Sequence, residues 1–170
     1  MNNIKHYFVV NPKAGKKDIS TLISKEIKEK LISTEDSYDI YITKEKKDAT
    51  RYVNDICKKE DGDIRFYAIG GDGTLNEVVN GVKDFEHASL SVIPYGTGND
   101  FIKNFKNSNF FDIKNHINGE KIKVDLLKIG DNSSVNLCNI GFDAKVASNM
   151  NKLKKLPFIK GQLAYTLSIF

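Results

Sequence analysis

A chain of 170 residues, 40% hydrophobic and 28% charged, holds enough apolar side chain for one full core, a composition that speaks against a disordered or membrane-spanning polypeptide. The formal net charge of +4 comes from scattered lysines with no interleaved aromatics, so a nucleic-acid platform is not indicated. That balance suits an anionic substrate or an anionic membrane surface and is equally ordinary for a Lys-rich soluble protein.

The first element in chain order is a buried strand over residues 4–10, followed by the polar loop Asn11-Pro12-Lys13-Ala14-Gly15-Lys16. Asp18 opens a predicted helix with Ile19, Leu22, Ile23, Ile27 and Leu31 on one face. A second strand is expected over 38–43 and a second helix over 48–59, its apolar face formed by Ala49, Tyr52, Val53, Ile56 and Cys57. Cys57 therefore reads as a buried reduced thiol. Two cysteines, Cys57 and Cys138, are too few for a disulfide scaffold, so the cell interior is the expected location.

Arg65-Phe66-Tyr67-Ala68-Ile69 reads as the third strand, and Leu75, Val78, Val79 and Val82 recur at the helical interval beyond it. Between them lies Gly70-Gly71-Asp72-Gly73-Thr74-Leu75-Asn76-Glu77. A glycine loop at a helix N-terminus presents free N–H groups and the positive dipole end to a phosphate. The three glycines are expected to take positive φ and to bring that backbone close to a ligand. Asp72 would repel a phosphate unless it held a divalent cation or a proton of the attacking hydroxyl, so the loop points to phosphoryl transfer. The same residues also read as a tight turn with Thr74 capping the helix. Gly15-Lys16-Lys17 lacks the remaining residues of a P-loop, and neither Gly71-Asp72-Gly73 nor Gly96-Thr97-Gly98 continues into a dinucleotide fingerprint.

A fourth strand over 89–93 leads into Pro94-Tyr95-Gly96-Thr97-Gly98-Asn99-Asp100 and a further helical stretch. Strands alternating with amphipathic helices predict an α/β fold with a parallel sheet, and ligands of such sheets bind at the carboxyl ends of the strands. The loops at 11–16, 70–74 and 96–100, with Thr43 ending the second strand, all fall at that edge. From Lys121 the chain alternates through Ile122, Val124, Leu126, Leu127 and Ile129, turns at 130–133 and resumes with Val135, Leu137 and Ile140, an expected antiparallel hairpin. A helix over 144–151, a basic connector over 152–161 and one more helix from Gln162 are expected after it. The chain closes on an apolar stretch and reads as cut short, with Leu163, Leu167 and Ile169 expected to promote self-association. His6, His87 and His116 show no ligand spacing and read as structural or surface residues. The cluster Lys152, Lys154, Lys155 and Lys160 reads as a solvated loop more readily than as a contact for anionic lipid headgroups.

Three ordered motifs, Asn11-Pro12-x-x-Gly15, Gly70-Gly71-Asp72-Gly73-Thr74-x-Asn76-Glu77 and Pro94-x-Gly96-Thr97-Gly98-Asn99-Asp100, closely resemble those of bacterial diacylglycerol kinase-like lipid kinases and the related sphingosine and ceramide kinases. Val124-Asp125 and Asn139-Ile140-Gly141-Phe142-Asp143-Ala144 match the entry to that family's second lobe. The resemblance implies a phosphofructokinase-like parallel sheet flanked by helices over residues 1–120, an ATP-binding catalytic domain, then the incomplete start of a β-rich second lobe over 121–170. It implies ATP and Mg²⁺ dependence, with the γ-phosphate passed to a lipid hydroxyl such as that of diacylglycerol at the inner membrane surface.

Carried over by position, the nucleotide site would comprise Asn11, Pro12, Lys13, Ala14, Gly15, Thr43, Gly70, Gly71, Asp72, Gly73, Thr74, Leu75, Asn76 and Thr97. Asp72, Asp100 and Asp125 would form an acidic network holding Mg²⁺ directly or through water. Read as residues alone, Asp100 is also a plausible cap for a helix near Phe101, Asp125 a solvated position, Glu77 a brace for the helix dipole and Asn99 a turn residue. The family's catalytic base lies in a part with no counterpart among these residues, so no catalytic residue is mapped. Two rival expectations are a superfamily kinase acting on a sphingoid base or NAD, and a nucleotide-binding module without turnover.

Overall fold

The computed structural model describes residues 4–15, 17–31, 37–106 and 108–153. Four strands, β1 (Lys5–Val10), β2 (Tyr38–Ile42), β3 (Ile64–Gly70) and β4 (Ala88–Pro94), alternate with helices α1 (Ser20–Leu31), α2 (Asp48–Lys59) and α3 (Asp72–Val82). A 3-10 turn (Phe101–Asn104), α4 (Ile113–Asn118), β5 (Leu127–Ile129), β6 (Asn132–Ser134) and α5 (Phe142–Leu153) follow. The described residues up to 136 form one compact unit, and those from 137 to 153, which contain α5, belong to a second.

The main sheet is parallel throughout, in the order β2-β1-β3-β4. The path from β1 to β2 runs one way across the sheet, and those from β2 to β3 and β3 to β4 run the other. Right-handed crossovers then demand that α1 lie on one face and α2 and α3 on the opposite one. The core follows this division. Tyr7, Val9, Phe66 and Ala68 pack with Ala49, Val53, Cys57, Leu75, Val78 and Val79 from α2 and α3. Phe8, Val10, Tyr67 and Ile69 pack with Ile23, Ile27 and Leu31 of α1 and Ile113 of α4. Covered on both faces, β1 and β3 take continuous rather than alternating apolar sequence. Burial raises the Cys57 thiol to about 11, as an inert core residue requires. Leu22 departs from expectation at 64% exposed, because the buried stripe of α1 is the narrow series Ile23, Ile27, Leu31 and Leu22 lies one helical step off it.

Two contacts fix how the layers meet. Gly81 of α3 crosses α2 so closely that a Cβ there would lie 2.6 Å from Val53 Cγ1 and 3.1 Å from the Thr50 carbonyl oxygen. On the other side of the molecule, the buried Arg65 Nη1 donates to the carbonyls of His116 (2.8 Å) and Ile117 (2.7 Å), closing the end of α4 onto β3. His116 is itself buried, with Nε2 2.9 Å from the Phe110 carbonyl and Nδ1 2.6 Å from Ser91 Oγ. A carbonyl only accepts, so Nε2 carries the proton and Nδ1 accepts from the serine hydroxyl. Burial drives this imidazole below its ordinary value, and the Phe110 carbonyl and Asp112 only partly counter it. His6 is likewise buried, 2.7 Å from the Tyr67 hydroxyl.

The expected hairpin is present but short. β5 and β6 pair antiparallel through a turn at Gly130 and Asp131, with Gly130 at φ +59°. Ile122, Val124 and Leu126 are exposed and lie in no strand, since no backbone among the described residues pairs with them. Val135 packs against the α2–α3 cluster, whereas Leu137 and Ile140 are exposed. The helix expected over 144–151 spans Phe142–Leu153 and takes in the first two residues of the expected connector. The rest of the connector and the helix from Gln162 lie outside the described residues.

Replacing Gly81 by alanine is expected to destabilise the protein by about 1–3 kcal/mol through the collision with Val53. This outweighs the gain of roughly 1 kcal/mol in helix propensity, and a lowered urea midpoint would show it. Because the folded-state pKa of His116 is depressed, its neutral form contributes stability that is fully present above the unfolded value near 6.5 and lost as pH falls through the lower folded value. Urea midpoints should therefore drop as pH falls below about 6.5, and the slope should flatten in His116→Asn.

Candidate functional site

The first turn of α3 is the natural starting point. β3 ends at Gly70, Gly71 stands at the N-cap and the helix proper begins at Asp72. The first backbone N–H returned to this helix is that of Leu75, which donates to the Gly71 carbonyl at 3.1 Å. The N–H groups of residues 72–74 precede that bond and project from the helix end. Gly71, Asp72, Gly73 and Thr74 all line a cleft of about 580 Å³.

The glycines here act differently from expectation. None of Gly70, Gly71 and Gly73 has positive φ, since the chain passes from an extended Gly71 (φ −104°) directly into the helix. Their use is close approach. A Cβ on Gly70 would overlap the Thr74 side chain, and one on Gly71 would lie 3.1 Å from Gly96 Cα. Gly73 has nothing within 4 Å of a built Cβ, so a side chain there would meet only what occupies the cleft.

The loop after β1 forms the adjoining wall. Asn11 N–H donates to the Ile69 carbonyl (2.9 Å), and its carbonyl receives Ala14 N–H (3.1 Å). The Asn11 side chain gives an N–H to Thr74 Oγ1 (3.0 Å) and takes one from Lys13 N–H (3.0 Å). One amide thus ties this loop to the first turn of α3. Gly15 has φ +79° and lies so near β4's exit that a Cβ would stand 2.9 Å from the Tyr95 carbonyl oxygen, a position only glycine fills comfortably.

A third wall follows β2. Thr43 N–H continues the sheet pairing to the Val10 carbonyl (2.9 Å), and Thr43, Lys44, Glu45, Lys46 and Ala49 line the cleft. Behind them is Asp48, whose side chain has no solvent exposure. It accepts from Lys44 N–H (2.9 Å), the Tyr41 hydroxyl (3.0 Å) and Arg51 Nη2 (2.5 Å). Burial pushes the Asp48 carboxyl up, but these donors and the Arg51 charge outweigh it and hold the group below its ordinary value.

The segment after β4 completes the rim. Tyr95 and Gly96 N–H groups both donate to the Gly70 carbonyl, at 2.7 and 3.1 Å. Asn99 takes a left-handed conformation (φ +49°) and donates from Nδ2 to the Gly96 carbonyl (2.7 Å), which is the work of a turn residue. Asp100 N–H donates to Asp72 Oδ1 at 2.7 Å, while the Asp100 carboxylate pairs with Lys103 and makes no side-chain cap. Gly98 lies between the two acids, where a Cβ would be 2.6 Å from Asp72 Oδ2 and 3.7 Å from Asp100 Oδ2.

Of the residues expected at a nucleotide site, Asn11, Lys13, Ala14, Gly15, Thr43, Gly71, Asp72, Gly73, Thr74 and Thr97 line this one cleft. Pro12, Gly70, Leu75 and Asn76 do not: Gly70 and Leu75 are buried behind it, and Asn76 faces solvent from α3. Asp125 lies on the exposed stretch before β5 and does not line the cleft, and Asp100, also exposed, does not line it and meets Asp72 through its backbone N–H. Among the described residues, no three His, Cys, Asp or Glu side chains gather as a metal cluster. The cleft also takes in Lys44, Lys46 and Glu45, which the sequence does not flag because a Lys/Glu run after a strand has the composition of any solvated turn. Glu77 is at the cleft as well, with its carbonyl receiving Thr50 Oγ1 at 2.8 Å.

Residues 5–129 match the model of the diacylglycerol kinase catalytic domain. A diacylglycerol kinase of Staphylococcus aureus (strain JH9) is 34% identical over 168 residues, covering 95% of this chain and 51% of its own length. A solved diacylglycerol kinase structure from Bacillus anthracis (strain Sterne) is 38% identical over 58% of this chain and 36% of its own, with a TM-score of 0.49. The chain spans about half the length of the curated relatives it matches. The matched region holds all four sheet strands and every loop of the cleft, and the chain belongs to the diacylglycerol kinase catalytic domain family.

Proposed function

We propose that this chain is the nucleotide-binding part of a lipid kinase, holding ATP with Mg²⁺ in the cleft and directing its γ-phosphate toward a lipid hydroxyl such as that of diacylglycerol. One observation carries the reading: the N–H groups of the first turn of α3 lie at the cleft, together with Lys13, Lys44 and Lys46. A helix N-terminus and several ammonium groups favour a polyanion of the size of a nucleoside triphosphate's phosphate chain. The names of the relatives favour a lipid acceptor over NAD.

Three carboxylates, Asp72, Glu45 and Glu77, line the cleft, enough for Mg²⁺, which keeps several waters and takes one or two protein carboxylates beside substrate phosphates. Asp72 would hold it. Its Oδ1 is steadied by the Asp100 N–H, so Asp100 supports the acid through its backbone. When bound, the cation neutralises phosphate charge. The protein's share of the work is to orient the phosphate chain along Gly71–Thr74, to screen it with the three lysines and to limit water on that side. The acceptor and the base that takes its proton are assigned to the half of the relatives that this chain does not span. A membrane-surface encounter follows from a lipid acceptor. Among the described residues no helix is long and apolar enough to cross a membrane.

Calorimetry should show Mg²⁺-dependent ATP binding at an affinity of about micromolar to millimolar, and a folded sample that fails to bind would overturn the reading. Asp72→Asn should leave metal-free binding nearly unchanged and remove most of the Mg²⁺ enhancement, because the amide can still accept from Asp100 N–H without the charge.

Radiolabelled ATP with mixed micelles of diacylglycerol should yield little or no phosphatidic acid with the 170-residue chain, since a positioned base is worth about 10²–10⁴ in rate. Robust product would show that a residue of this chain serves as the base.

A further inference from the structure

The β2–α2 connection contributes a whole wall of the cleft and contains no glycine or proline to fix its path. Something else must hold it. Lys47, at the N-cap of α2, has φ +67°, a conformation that a non-glycine residue keeps only when its surroundings impose it. The adjacent Asp48 reaches backward, out of its helix, to the Lys44 N–H in the middle of the wall. The same carboxylate oxygen receives the Tyr41 hydroxyl from β2, and the other receives Arg51 from the next turn of α2. Tyr41 is in turn stacked on Tyr52 of α2, with ring centroids 3.8 Å apart and planes 3° from parallel. Tyr52 closes the frame by donating to Asp39 Oδ2 at 2.8 Å.

A carboxylate that served only the helix dipole would work as well in solvent, where it would escape the cost of burial. Asp48 instead has no solvent exposure and joins the strand, the loop and the helix. We propose that Asp48 is a positioning residue for the nucleotide: its buried carboxylate fixes the Lys44 backbone and thereby holds the Thr43–Lys46 wall in its binding geometry before the ligand arrives. The proposal rests on the nucleotide reading of the cleft. A wall already ordered removes an entropic cost from binding that a loose wall would have to meet. Arg51, 67% exposed, compensates the charge and has no part in the wall.

The test combines amide hydrogen exchange with calorimetry, using ATP and Mg²⁺ as the probe. In the unmodified, ligand-free chain the Lys44 amide should be protected well beyond the rate of an open loop. Asp48→Ala should open that amide, leave the amides of β1 and β3 protected, and weaken ATP binding by about tenfold or more. Asp48→Asn retains an acceptor oxygen for Lys44 and should stay within about threefold of the unmodified chain, and Arg51→Ala within about twofold. Asp48→Ala binding ATP within twofold of the unmodified chain would overturn the proposal, as would loss of protection across β1 and β3 together. Should Asp48→Ala fail to fold, free exchange of Lys44 in the unmodified chain overturns it, and so does tenfold weakening in Arg51→Ala. Absence of ATP binding by the unmodified chain is a separate result, which removes the nucleotide reading before any variant is compared.

Discussion

The backbone-to-backbone approach of Gly71 and Gly96 is the constraint on which the cleft depends. β3 and β4 pair as far as Gly70 and Pro94, and the Gly70 carbonyl then receives both Tyr95 and Gly96 N–H groups. The two strand exits therefore stay together for two residues beyond the sheet. A Cβ on Gly96 would collide with Gly71 Cα, so any side chain there would push the 96–98 segment away from the first turn of α3. The rim, the helix N-terminus and the contact between Asp100 N–H and Asp72 all require that separation to be small. Asn11 performs the corresponding task on the other side, where its side-chain amide joins the β1 exit to Thr74. Three strand exits are thus drawn onto one helix end by backbone groups and a single amide, with little dependence on charged side chains.

That arrangement alters the reading of the acidic residues. Asp72, at the first position of α3, carries a negative charge where the helix dipole favours it, and one of its oxygens is engaged by backbone. Asp100 contributes its N–H while its carboxylate turns to Lys103. Of the three aspartates that the family resemblance groups together, the described cleft holds one. Across the whole lining three acids, Asp72, Glu45 and Glu77, balance the three lysines, so the pull on an anion comes from the N–H groups of the first turn of α3 and from a cation shared between ligand and protein.

Much of this was legible in the sequence for physical reasons. β1 and β3 are covered on both faces, so their continuous apolar runs announce a parallel sheet, and Leu75, Val78 and Val79 mark the buried side of α3 at helical spacing. The order of the strand-exit loops then places the cleft. What escaped was set by contacts between distant parts of the chain. Glycines at 70 and 71 signal an unusual backbone, but sequence does not tell a left-handed turn from a close approach to Gly96. Leu22 has the spacing of a core residue, and only the width of the stripe meeting β1 and β3 leaves it in solvent. Lys44 and Lys46 look like any solvated turn until Asp48, four and two residues on, is seen to be buried beneath them.

The hairpin makes use of α3 at its other end. Asn80 donates from Nδ2 to the Ser133 carbonyl and accepts Ser133 N–H on Oδ1, each at 2.8 Å, so its side chain pairs with β6 as a neighbouring strand would. Lys83, one turn on, reaches the Asp131 carbonyl at the hairpin turn. Eight residues of helix separate Asn80 from Asp72, a span of about 12 Å. The helix is therefore a stiff strut with a polar socket at each end. The hairpin's anchor and the cleft floor thus share one unbroken helix, with no loop between them.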